Sequence, residues 1–365
     1  MAAEVDEGGN GVRRSFEDSL DGAVRPVRDP AGHSAGLGLA PSALPEEDSL
    51  DVPAHHDAAA DRFTHRIVHA LEGRVETTTA WGVDSEYGRL LDVLLCPPDN
   101  FHWLPASAIS RATLDSGISF SREDAQRQHA EMVSVYEEAG VRVHRLEPDP
   151  ALPYQVFARD SSINVPQGPI VTQCHQWWRR GEYAPVIRFY EESGIPIHRM
   201  ITAAALEGGD FMIVEPGVAV IGNGEERTQE PAARQLAGWL QADGWEVRIE
   251  RIPPHFLHID VLAAMLGEKL AAVCVEQVGT GFVRWLEDKG VQILPVSLAD
   301  ALKLGVNGVC LGGDRVLTSA ESKDLNERLR ALGLTVYDPE LAAFTLGGGG
   351  AHCLMQALRR ERVAA

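Results

Sequence analysis

Residues Arg122–Leu146 read REDAQRQHAEMVSVYEEAGVRVHRL, and three parts of this stretch decide the fold. From Arg122 to Ala139, polar residues are punctuated by apolar ones, the pattern of a helix with one buried stripe. Gly140 follows, at the place where helices end on a left-handed residue that glycine adopts without strain. Val141–Leu146 then alternates apolar and polar, as a half-buried strand does. The same order recurs four times: helix 185–193, Gly194, strand 195–200; helix 231–242, Gly244, strand 245–250; helix 280–289, Gly290, strand 291–296; helix 321–332, Gly333, strand 334–338. Ahead of the first unit, the apolar run Leu90–Leu95, closed by Pro97-Pro98, predicts a buried strand. Repetition of one α/β unit every ~50–60 residues predicts a ring or array, not two unrelated domains. LEGGDFMIV at 206–214 also resembles CLGGDRVL at 310–317, which reads as a second sign of the repeat. No GxGxxG follows an early strand, which weighs against a doubly wound sheet.

Composition sets the bounds. Of 365 residues, 44% are hydrophobic and 24% charged, enough to build a large core. The formal net charge of −20 argues against nucleic acid or an anionic membrane as partner and favours a cationic ligand, although excess acid also serves solubility. The five cysteines are scattered, odd in number and form no CxxC pair. That argues against a disulfide framework or zinc site and predicts a reducing cytoplasm. The opening MAAEVDEGGNG has neither a basic nor an apolar region, so no signal peptide is expected. No apolar run approaches the length of a membrane span. Residues 1 to about 60 are rich in Ala, Gly, Pro, Asp and Ser, which predicts a disordered leader. Residues 61–365 then form a single domain, its folded body starting near Thr79-Ala80-Trp81-Gly82.

Four segments carry groups suited to chemistry. In Phe157-Ala158-Arg159-Asp160-Ser161-Ser162, an Arg–Asp pair opens a strand. In Leu206-Glu207-Gly208-Gly209-Asp210, two acids flank glycines that let a ligand come close. In Leu257-His258-Ile259-Asp260, histidine and aspartate share a face if the chain is extended. Leu346-Gly347-Gly348-Gly349-Gly350-Ala351-His352-Cys353 runs four glycines into a cysteine. Each has a plain structural explanation: a local salt bridge, a tight turn, a satisfied core histidine, a loop before a buried thiol. Across these segments, Asp160, Glu207, His258, Asp260 and Cys353 together supply a nucleophile, a proton carrier and three carboxylates. Such a set disfavours an anionic substrate. It suits a planar cation rich in N–H groups, and guanidinium pairs with carboxylates in bidentate fashion.

On these motifs, in this order and spacing, the chain from about residue 83 to 360 resembles the guanidino-group-modifying enzymes, or penteins. These include arginine deiminase, dimethylarginine dimethylaminohydrolase, agmatine deiminase and the amidinotransferases. The resemblance implies a fivefold pseudo-symmetric α/β propeller of ββαβ units around a central site. It implies Cys353 as nucleophile, His258 as general acid and base, and Glu207 as the acid that grips guanidinium and orients the histidine. Asp160 and Asp260 would bind guanidinium nitrogens. Arg227, in Glu225-Glu226-Arg227-Thr228, and Arg180, in Trp178-Arg179-Arg180-Gly181-Glu182, would bind a carboxylate. Two positions depart from arginine deiminases: Gly348 stands where they carry arginine and Tyr154 where they carry asparagine. His352, Arg359-Arg360 and the HID triplet look more like amidinotransferases, whereas glutamate at 207 matches the hydrolases. The resemblance therefore implies a cytoplasmic hydrolase of an arginine-like guanidine working through an S-amidino adduct. An amidinotransferase is the alternative, and an idle pentein that only binds a partner is the third reading. No metal and no organic cofactor are expected. The expected partner is a small cationic guanidine, not nucleic acid or membrane; a homo-oligomer is compatible with the sequence.

Overall fold

Gly140 takes φ 76°, and Gly194, Gly244, Gly290 and Gly333 are likewise in the left-handed region. A Cβ at any of the five would meet nothing within 4 Å, so backbone angle alone calls for glycine there. Each ends a helix and turns the chain into a strand, and this step builds the molecule. The computed structural model describes residues 81–253 and 255–363, which fall within one compact unit, Thr79–Ala365. The predicted leader, residues 1 to about 60, lies outside the described residues. Among the described residues no helix is long and apolar enough to cross a membrane.

The helices are α1 (Ala108–Asp115), α2 (Arg122–Glu138), α3 (Tyr183–Glu192), α4 (Glu230–Ala242), α5 (Thr280–Asp288), α6 (Leu298–Ala301), α7 (Lys323–Ala331) and α8 (Ala342–Thr345). Strands β1 (Leu90–Leu95) and β2 (Arg142–Arg145) flank α2. Strands β3 (Ser162–Val165), β4 (Gly168–Val171) and β5 (Arg199–Met200) form the next unit with α3. Then come β6 (Phe211–Glu215), β7 (Val218–Asn223) and β8 (Glu246–Arg251) with α4, and β9 (Ala263–Gly267), β10 (Leu270–Val273) and β11 (Gln292–Pro295) with α5. Strands β12 (Val309–Gly312), β13 (Arg315–Leu317) and β14 (Thr335–Tyr337) join α7, and β15 (Met355–Arg360) ends the chain.

These strands form five three-stranded sheets of one design. The first strand pairs antiparallel with the middle one, and the middle strand runs parallel to the third, reached through the helix. The sheet β15-β1-β2 follows the same rule with its first strand supplied from the C-terminus. The architecture is therefore α/β, with the five ββαβ-like units of a pentein propeller. First strands of successive sheets lie against one another, β15 by β3, β6 by β9 and β9 by β12, and β12 lies by the middle strand β1. β3, β4, β9 and β10 are buried along their whole length. Such strands read as apolar runs because both faces are covered. The helices bury one stripe each, as α4 does with Ala232, Ala233, Leu236, Ala237 and Leu240.

One sequence expectation is corrected. Gly208–Asp210 form a 3-10 turn ahead of β6, whereas Gly312-Gly313-Asp314 make the hairpin between β12 and β13. The two Gly-Gly-Asp stretches are not equivalent positions of the repeat. Tight backbone calls for the same residues in both places: positive φ at the hairpin, close packing at the turn.

Candidate active site

The junctions that enter the first strands bring the chemistry together. Three are 3-10 turns, Ala158–Ser161, Gly208–Asp210 and Ile259–Val261, and they supply Asp160, Asp210 and Asp260. Glu207 and His258 precede the second and third of these turns on extended backbone. Cys353 stands two residues ahead of β15. Close approach of the turns requires the EGGD glycines. A Cβ on Gly208 would lie 2.0 Å from the Arg159 carbonyl oxygen, and one on Gly209 would lie 2.6 Å from His258 Nδ1.

Cys353, His258, Asp160, Arg179 and Arg227 line one small pocket of ≈ 20 Å³, with Tyr154, Phe157, Leu257 and Gly347–Gly349 as walls. That is room for about one water molecule. Cys353 Sγ is 3.5 Å from Asp260 Oδ2, and the same oxygen is bonded to His352 Nδ1 at 2.8 Å. His258 Nε2 is bonded to Glu207 Oε2 at 2.8 Å, and its Nδ1 lies 3.7 Å from Asp160 Oδ1.

Glu207 is saturated. Its Oε2 also meets Arg227 at 3.2 Å and Arg179 at 3.6 Å, and its Oε1 accepts the His175 backbone N–H at 3.1 Å. It is fully buried and does not line the cavity. This geometry supports orientation of His258 more than direct grip on a ligand. Asp160 accepts from Arg179 at 2.7 Å and from the Gly209 N–H at 3.1 Å. Asp260 Oδ1, His258 Nδ1 and Arg227 Nε are buried without a hydrogen-bond partner.

Arg227 lies where the sequence predicts, reaching Glu207 and the Ala106 carbonyl, the latter at 2.7 Å. Arg180 does not. It is exposed and donates to the His175 carbonyl, while its neighbour Arg179 is buried against Asp160 and holds Glu182 with two bonds of 2.9 and 2.8 Å. Adjacent residues in the turn point to opposite sides, and a motif with two arginines does not say which faces in. Tyr154 keeps its hydroxyl for the Leu104 backbone N–H and carbonyl and so offers the cavity a ring. Gly348 sits at φ 101°, and a Cβ there would meet Ser107 Oγ at 2.7 Å.

Sequence reading also missed Asn307. Its signal is positional: it precedes β12 as Asp160 precedes β3 and Cys353 precedes β15, two residues ahead in each case. The mistaken alignment of EGGD with LGGD concealed it.

The charges are coupled. Burial alone would favour neutral His258, but Asp160, the bond to Glu207, and Asp210 reverse this and raise its pKa to about 10. Burial alone would raise the Glu207 carboxyl; Arg227, His258 and Arg179 outweigh it and hold the group well below the usual range. Burial pushes the Cys353 thiol well above an ordinary thiol, and the Asp260 and Asp160 carboxylates push it further. Asp160, Glu207 and His258 offer ligand atoms within 4.8 Å of one another, close enough for a metal ion. Those ligand atoms are already engaged: Glu207 accepts from His258 and Arg227, and Asp160 from Arg179 and the Gly209 N–H, so a metal ion would have to displace these partners.

A family model described as "N,N dimethylarginine dimethylhydrolase, eukaryotic" matches residues 103–360. Among characterised and uncharacterised proteins, the chain is 26% identical over 281 residues to the uncharacterised protein YkgA of Bacillus subtilis, covering 76% of this chain and 94% of the relative. It is 25% identical over 229 residues to the N(G),N(G)-dimethylarginine dimethylaminohydrolase of Mycobacterium tuberculosis, covering 63% and 74%. Among solved structures, the N-terminal domain of ArgZ, an arginine dihydrolase of cyanobacteria, superposes with TM-score 0.64 at 22% identity, covering 74% of this chain and 98% of that domain. A dimethylarginine dimethylaminohydrolase of Pseudomonas aeruginosa, solved with citrulline, gives TM-score 0.63 at 21% identity, covering 73% and 99%. With its family model matched over well more than half its length and the five-sheet fold in place, the chain belongs to the dimethylarginine dimethylaminohydrolase family of the pentein superfamily and is a guanidino-group C–N hydrolase.

Proposed function

We propose that the chain hydrolyses an arginine-like guanidine through covalent attack by Cys353. The observation that carries this reading is the shared cavity: the Cys353 thiol, the His258 imidazole and Asp160 line it, while buried Glu207 is bonded to the imidazole and Asp260 lies 3.5 Å from the thiol. The partnerless polar atoms fit the ligand. Asp260 Oδ1 accepts, which suits a guanidinium N–H; Arg227 Nε donates, which suits a carboxylate tail; and protonated His258 Nδ1 is left to donate to the departing amine.

In the free enzyme Cys353 is a neutral thiol. A bound guanidinium offsets the Asp160 and Asp260 charges that keep it protonated, and the proton leaves towards Asp260 Oδ2 at 3.5 Å. The Sγ–C bond forms at the guanidinium carbon. His258 gives a proton to the departing amine as the C–N bond breaks. The enzyme then holds an S-amidino cation. Neutral His258 takes a proton from the attacking water, the C–S bond breaks, and the ureido product leaves after losing its remaining hydroxyl proton to solvent. Asp260 returns its proton to Cys353 Sγ, which restores the thiol and the cationic His258 of the free enzyme. The five cysteines, all free and buried, support a reducing, cytoplasmic setting. The relatives named above as enzymes are hydrolases, which favours water over an amine as acceptor.

Acid quenching during turnover of arginine and Nω-methylated arginines, followed by peptide mass analysis, tests the reading. An amidino adduct on the Cys353 peptide is expected, with Cys353→Ser folded and slower by about 10⁴-fold or more. Turnover without an adduct, retained by Cys353→Ser, contradicts it.

A further inference from the structure

The unit of β12–β14 differs from its neighbours in what it sends to the centre. The other junctions deliver acids, a histidine or the thiol; the one before β12 delivers Asn307, an amide buried to 3% exposure. Its Oδ1 accepts the backbone N–H groups of both His352, at 3.0 Å, and Cys353, at 3.2 Å. Its Nδ2 donates to the Asp260 carbonyl at 3.1 Å. One side chain thus ties the loop carrying the thiol to the turn carrying the carboxylate beside it. No strand pairing joins β15 to β9 among the described residues, so this tie and the His352–Asp260 bond bridge the gap.

Two further features show a built contact. Successive backbone N–H groups converging on one oxygen make an anion-binding concavity, here filled by the amide oxygen. A Cβ on Gly350 would lie 2.8 Å from Asn307 Oδ1, so the last glycine of the run is required by this contact. The approach to Asn307 also passes Leu304 at φ 63°, a left-handed conformation that costs a branched residue strain, and such strain clusters where geometry serves function.

We propose that Asn307 is a positioning residue for the nucleophile, holding Cys353 Sγ against Asp260 in the line of attack on the guanidinium carbon. The proposal rests on the nucleophile reading above. Asn307 touches no substrate; it acts through the backbone of Cys353 and Asp260.

Asn307→Ala removes both halves of the tie. Asn307→Asp keeps the acceptor for the two N–H groups, loses the donor to Asp260 and adds a negative charge near the thiol. Each variant is assayed for kcat, KM and melting temperature. The ionisation midpoint of Cys353 is read from ultraviolet thiolate absorbance as the difference from the same protein carrying Cys353→Ser. The expected result for Asn307→Ala is a folded protein with kcat lower by about 100-fold, KM within about threefold of the parent, and the midpoint shifted down as Sγ drifts from Asp260. Asn307→Asp shifts the midpoint up and also lowers kcat. If Asn307→Ala fails to fold, Asn307→Asp decides the matter on the same two readouts. An unchanged kcat in a folded variant overturns the proposal, and so does a lost kcat with an unmoved midpoint, the mark of a purely structural role. If the parent turns over no guanidine, the underlying reading has failed instead, and the midpoints still report on the tie.

Discussion

Arg179 makes charged contacts to three buried carboxylates, Asp160, Glu182 and Glu207, and it is the residue at which motif reading goes astray by one position. Its guanidinium is shared between Asp160 and Glu182, all three buried. Removing one partner of such a group leaves unpaired buried charge, at a cost of about 3–5 kcal/mol. Arg179→Gln is therefore expected to lower stability by that amount and to abolish turnover, measured by denaturant titration and steady-state kinetics. Arg180→Ala, on an exposed side chain, should change stability by less than about 0.5 kcal/mol and leave kcat unaltered. A reversed pair of results would restore the arginine that the motif nominates. The acids, the histidine and the cysteine were legible because each sits in a short motif: FARD, EGGD, HID, or the glycine run before Cys353. Asn307 was not, because a lone amide has no motif, and its meaning appears only when β12 is aligned with β3 and β15.

The elements that enter the centre are the 3-10 turns, and their tolerance is small. Gly209→Ala puts a methyl 2.6 Å from His258 Nδ1 and 3.1 Å from Asp160 Oδ1, so imidazole or turn must move. The expected loss of stability is about 1–3 kcal/mol, the usual cost of overpacking. A kcat loss of about 100-fold accompanies displacement of His258 from Glu207. Melting curves and kinetics check both; wild-type kcat would mean that His258 need not stay where it is. Helices and most third strands were readable because glycine marks each boundary: the expected helix 231–242 and strand 245–250 are found as Glu230–Ala242 and Glu246–Arg251, whereas the expected strand 195–200 is found only as Arg199–Met200. The 3-10 turns were not readable as turns. HID suggests an extended pair with His258 and Asp260 on one face, yet only His258 is extended and Asp260 lies within a turn. Tertiary contact, not alternation, brings both residues to the site.

At the scale of the whole molecule, closing sheet β15-β1-β2 with the last strand joins the segment that follows Cys353 to the first strand of the fold. Five units were countable in the sequence, but this pairing was not, since it joins residues more than 250 apart. The central charge network also sets the response to pH. His258 has a folded pKa of about 10 against an ordinary 6.5. The folded state thus holds its proton more tightly, and the resulting stability is complete below about pH 6.5 and is lost as pH rises towards 10. The raised Cys353 thiol acts in the same direction above pH 9. The melting temperature of wild type should therefore fall between pH 7 and 10, and that of His258→Gln should fall less; parallel curves would remove His258 from the network. The central claim is hydrolysis of a guanidine, and product identity in ¹⁸O-labelled water tests it most directly. The account predicts a ureido product carrying one labelled oxygen, formed with release of an amine or ammonia and with no acceptor amine required. A new guanidine without label, formed only when an acceptor amine is supplied, would contradict it.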